Sequence, residues 1–171
     1  MPRILRFSNK LLTTRDRVII TDEDDRVVAV AHSSPLNWPP AWTLHYGGSE
    51  IRIQRKVFAF PGSWRMSGAA GDFTLHRIFF SLKRQYRVSG GVFDGARIAG
   101  QVWSRKLDIT RGKERIALSH SRIVTLRDIH EVEIVSDLTE ATPFVLSVIA
   151  TLMIDKRVVD LVTELTRMEL D

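Results

Sequence analysis

Two dibasic pairs, Arg55-Lys56 and Arg105-Lys106, are the residues of this chain best suited to chemistry on an anion. Arginine offers a planar fork of donors that matches a phosphate or carboxylate, and lysine offers a compact point charge. Both pairs sit just after an alternating apolar segment, in matching places of two similar stretches. Lys83, Arg84 and Arg87 would extend the same basic patch. The competing reading is that basic side chains at strand ends keep sheet edges soluble.

The remaining polar groups form no catalytic constellation. Asp22, Asp24 and Asp25 resemble the start of a calcium loop but lack its later glycine and distal glutamate, so a solvated turn is expected. His32, His45, His76, His120 and His130 have no metal-ligand spacing and read as packed or half-exposed side chains. Glu131 and Glu133 share a strand face and are expected to be two solvated carboxylates. Gly112-Lys113-Glu114 lacks the leading glycine and the hydroxyl residue of a phosphate-binding loop, and no G-x-S-x-G is present. The expectation is therefore no enzyme, no metal and no cofactor.

The charge is unevenly placed. Residues 51–127 hold 16 basic and 4 acidic side chains, whereas residues 128–171 hold 3 and 10. A middle segment of +12 beside a tail of −7 marks either an anionic partner or internal complementarity. With no cysteine, a disulfide framework and thiolate metal sites are excluded. The start MPRILRFSNK has no long apolar run with a cleavage site, so a cytoplasmic protein is expected, peripheral at a membrane if it meets one.

The elements that must position these charges are short. From residue 3 to about 135 the chain alternates apolar and polar residues between turn signals, the pattern of antiparallel sheet. A hairpin unit begins near residues 18, 42, 64, 86 and 107, its turns made by acidic residues or glycines such as Gly47-Gly48. Adding Ile123 to Leu126 and His130 to Val135 predicts about a dozen strands, enough to close into a barrel. A barrel of that size leaves a lumen that something must fill.

Residues 142–155, TPFVLSVIATLMID, are the suitable filling. They predict a helix capped by Thr142, with Pro143 in its first position and apolar side chains all round. It is too short to span a bilayer, so its surroundings are protein. After Asp155, Val158, Leu161, Val162 and Leu165 recur at helical spacing. The reading is one domain: a barrel with a central helix over residues 1–155, and an amphipathic helical extension over 156–171 that would pack outside or pair with another copy.

The hairpin IITDEDDRVVAVA, the segments IRIQRKVFAFPGSWRM and RIAGQVWSRKLDI, and the close HEVEIVSDLTEATPFVLSVIATLMID together resemble the LURP-one-related proteins of the tubby C-terminal-like superfamily, which includes phospholipid scramblases. The resemblance implies a mainly β fold, a twelve-stranded barrel around a central apolar helix. It implies no reaction. Tubby domains bind phosphoinositides and scramblases act at membranes, yet no single pocket residue carries over. The expectation is a non-enzymatic module that engages anionic lipid head groups or phosphorylated ligands through its basic surface. A structural or oligomerising role of the C-terminal helix is the alternative, and aromatics beside basic residues (Trp64-Arg65, Tyr86-Arg87, Trp103 near Arg105) are a weaker pointer to single-stranded nucleic acid.

Overall fold

The computed structural model describes residues 3–8, 17–34, 39–56, 58–59, 62–78, 85–100, 107–120 and 129–168. Twelve antiparallel strands run in chain order as β1 (Arg3–Ser8), β2 (Arg17–Asp22), β3 (Val27–Ser34), β4 (Ala41–Tyr46), β5 (Ser49–Lys56), β6 (Ser63–Gly68), β7 (Phe73–Arg77), β8 (Gln85–Ser89), β9 (Arg97–Ala99), β10 (Asp108–Arg111), β11 (Glu114–His120) and β12 (Ile129–Ile134). Each pairs with its neighbour in sequence, and β1 pairs with β12 to close a barrel. The five hairpins read from the sequence are β2–β3, β4–β5, β6–β7, β8–β9 and β10–β11. Tyr46 lies opposite Ser49 across the Gly47-Gly48 turn, whose φ values of 55° and 78° are those a two-residue primed turn demands.

Alternation sends the apolar residues inward. Val18, Ile20, Leu44, Ile51, Ile53 and Met66 are fully buried, and the lumen they line is occupied by residues 141–155 of α1 (Ala141–Met168). Every described side chain from Ala141 to Asp155 is buried. Phe144 stacks on Phe93 at 4.4 Å and tilts against Phe73 of β7 at 5.1 Å. Polar groups on the helix are satisfied locally or by the wall: Ser147 donates to the Phe144 carbonyl and Thr151 to the Ser147 carbonyl, each at 2.7 Å, and Tyr86 of β8 donates to Asp155 Oδ2 at 2.7 Å. An apolar inside and a polar outside reverse the pattern of a barrel built to stand in lipid. No helix among the described residues is long and apolar enough to cross a membrane.

Four details differ from the sequence reading. The helix begins at Ala141, two residues before the expected first position, Pro143: Phe144 N–H already bonds the Glu140 carbonyl at 3.1 Å, so Thr142 lies inside the first turn and accepts a 2.8 Å hydrogen bond from Arg3 Nη1 instead of capping. Helix and extension form one unbroken α1, since neither glycine nor proline interrupts residues 144–168. Glu131 is 8% exposed and bound to Arg6 Nε at 2.8 Å, so it is an ion-paired rather than a solvated carboxylate. The strand that completes the twelve is β1, while residues 123–126, expected as a strand, lie outside the described residues.

Candidate functional site

The outer face of β5 to β9 collects the basic side chains. Strand alternation puts Ile51 and Ile53 of β5, Trp64 and Met66 of β6, Leu75 of β7, Tyr86 and Val88 of β8 and Ile98 of β9 inside. Their sequence neighbours therefore point out. The register aligns these neighbours into rows: Lys56 faces Ser63, Ser63 faces His76, His76 faces Arg87, and Arg87 faces Arg97. Four strand steps separate Lys56 from Arg97, about 19 Å. A second row runs Gln54, Arg65, Thr74 and Ser89, and a third runs Thr43, Arg52 and Ser67.

Lys56, Arg87, Arg97, Arg65 and Arg52 are all exposed. None has an ion pair among the described residues, whose pairs lie elsewhere: Arg6–Glu131, Arg26–Asp24, His45–Glu50, Arg111–Glu114 and Arg115–Asp108. The few carboxylates of the +12 segment explain this. Asp108 and Glu114 are held by Arg115 and Arg111, Asp94 accepts the Gly90 N–H at 2.7 Å, and Asp72 lies exposed in the β6–β7 turn. Arg87 and Arg97 are like charges directly opposite each other, an arrangement that destabilises a sheet unless an anion is shared between them.

Two features shape this face. His76 lies mid-row with its Nδ1 3.0 Å from Ser63 Oγ. Burial first, and the Lys56 ammonium second, hold its imidazole below the ordinary histidine range, so it is neutral at pH 7. At one edge a shallow groove of about 330 Å³ is lined by the Ser34, Thr43 and Ser67 hydroxyls with Glu50 and Arg52. Gly68 also lines it, and a Cβ there would stand 2.4 Å from the Glu50 carbonyl oxygen.

The residues picked from sequence separate. Lys56 and Arg87 share the first row, but Arg55 occupies the inward parity of β5, half-buried, with its guanidinium 5.9 Å from the ring centre of Trp64. Adjacent residues of a strand cannot serve one face, and this divides the Arg55-Lys56 pair. Lys83, Arg84, Arg105 and Lys106 lie outside the described residues. Arg52, Arg65, Arg97 and His76 join the face beyond the residues picked for it; the signal available was their place beside inward apolar residues. Trp64 and Tyr86 are 2% and 1% exposed, so neither offers a ring on which a base could stack. Two large apolar side chains lie open just past the ends of β5 and β7: Phe58, fully exposed two residues after Lys56, and Ile78, 37% exposed two residues after His76.

Comparison of the chain with protein-family models, with curated proteins and with solved structures found no match.

Proposed function

We propose that this protein is a non-enzymatic binding module of the tubby-like, LURP-one-related kind, whose basic outer face docks on anionic membrane surfaces. The observation that carries the reading is the row Lys56, Arg87 and Arg97, three exposed cations in register with no carboxylate partner among the described residues. Each basic residue held near an anionic bilayer contributes about 1 kcal/mol. Phe58 and Ile78 favour a bilayer over a free phosphorylated ligand, because an apolar side chain beside a basic row gains free energy by entering the acyl boundary and gains nothing from a small polar anion.

Co-sedimentation with vesicles of phosphatidylglycerol mixed into phosphatidylcholine tests it. Binding should appear only with the anionic lipid and weaken as salt is raised. Replacing Lys56, Arg87 and Arg97 together by Glu should lower partitioning by about 100-fold, taking each lost attraction at ~1 kcal/mol or more. Equal binding to neutral vesicles, or indifference to the triple reversal, would sink the reading. Circular dichroism of the variant excludes unfolding as the cause, since all three positions are exposed.

A further inference from the structure

We infer that Lys56, His76 and Arg87 form the seat of one tetrahedral oxyanion, a phosphate or sulfate ester, and that His76 takes up a proton as the anion arrives. The inference rests on the basic-face reading and assigns a place and a regulator within it.

The geometry starts from Ser63 and His76, which face each other across β6 and β7. The contact at Nδ1 orients the ring and leaves Nε2 without a partner among the described residues. On one side of His76 stands Arg87, its direct partner on β8; on the other, beyond Ser63, stands Lys56 of β5. Arg97 of β9 lies beyond Arg87, and Arg65 of β6 is two residues along from Ser63. These are the charged groups that face the imidazole from the neighbouring strands, and all are cationic. No carboxylate joins them among the described residues, the nearest on β5 being Glu50 at the far end of the strand, so no described carboxylate beside His76 competes for an oxyanion or favours imidazolium in the empty state.

An anion reverses that balance. Set against Nε2 between Lys56 and Arg87, it screens the repulsion of the ammonium and places negative charge beside the ring, and both effects favour the imidazolium. Linkage then runs both ways: whatever the anion does for the proton, the proton does for the anion. The sign follows. In the empty protein His76 is neutral at pH 7, because burial and Lys56 oppose its charge. In the complex it holds a proton to higher pH. Affinity therefore rises as pH falls through the value of the bound state, and levels off below that of the empty state. A phosphodiester and a sulfate ester keep constant charge over this range, so the dependence belongs to the protein.

Two probes separate lipid from free anion: phosphatidylglycerol vesicles and soluble dextran sulfate. The ring C–H resonance of His76 is titrated by NMR in the full chain with and without dextran sulfate, and vesicle binding is measured from about pH 7.5 to about pH 5.5. The midpoint of His76 should move up when dextran sulfate is bound. Vesicle affinity should tighten by about threefold or more across that range, and His76→Gln should flatten the dependence. Binding of both probes with an unmoved His76 midpoint overturns the seat while leaving the basic face standing. Binding of the soluble polymer alone keeps the seat and removes the membrane as its source. No binding of either probe at low salt overturns both.

Discussion

Arg55 and Lys56 show how one bond along a strand separates two jobs. Lys56 stands in the exposed row, whereas Arg55, on the inward parity, lies over the ring of Trp64. Neutralising Lys56 with Gln should weaken binding to anionic vesicles several-fold, at about 1 kcal/mol for the lost charge. Arg55→Gln should leave that binding within about twofold and instead cost about 0.5–1 kcal/mol of stability through the lost cation–π contact. Vesicle sedimentation and urea unfolding on the two single variants read the two effects apart. A loss of binding in Arg55→Gln equal to that in Lys56→Gln would show that the parity of β5 does not divide them.

At the scale of the element, α1 is a helix whose described side chains, from Ala141 to Asp155, are all buried, and its polar side chains are those that can be satisfied there. Ser147 and Thr151 bond the preceding turn and Asp155 takes the Tyr86 hydroxyl, so the apolar positions between them carry the packing. Ile149 is 0% exposed at the centre of the buried stretch. Ile149→Ala should destabilise by about 2–5 kcal/mol, and Ile149→Asp, which buries a charge with no partner, should prevent folding. A soluble Ile149→Asp protein with an unchanged unfolding midpoint would show that the helix is not inside the barrel. This helix was legible because an all-apolar run of its length has few other homes, and the five hairpins because alternation is bounded by Asp or Gly at each turn. β1 was harder: Ile4 and Leu5 are adjacent, which blurs the alternation, and its partner β12 lies more than a hundred residues away. The basic face was half legible. Each strand announces which residues point out, yet nothing local says that Lys56, His76, Arg87 and Arg97 stand in one row, because that depends on four strand registers.

For the whole molecule the barrel and the helix share one apolar core, with the basic face on its outside and the plug within. The plug and the C-terminal extension are one continuous helix, and two truncations divide it by role. Ending the chain at Glu140 removes all of α1 and leaves inward residues such as Ile20, Leu44 and Ile53 around an empty lumen. An apolar cavity of that size costs more than the ~5–15 kcal/mol by which a domain is stable, so the shortened chain should show no cooperative unfolding and should bind an apolar dye. Ending it at Arg157 keeps every described buried side chain of the helix and every cation of the face. That chain should fold, retain its unfolding midpoint within a few degrees, and bind anionic vesicles as the full chain does, while light scattering before and after the deletion reports whether residues 158–171 pair two copies. A lower mass after the deletion would assign self-association to the extension, and a simultaneous loss of vesicle binding would mean that the face works only as a paired surface. Cooperative folding of the chain ended at Glu140 would be the graver result, because it would mean that the barrel closes without its axis.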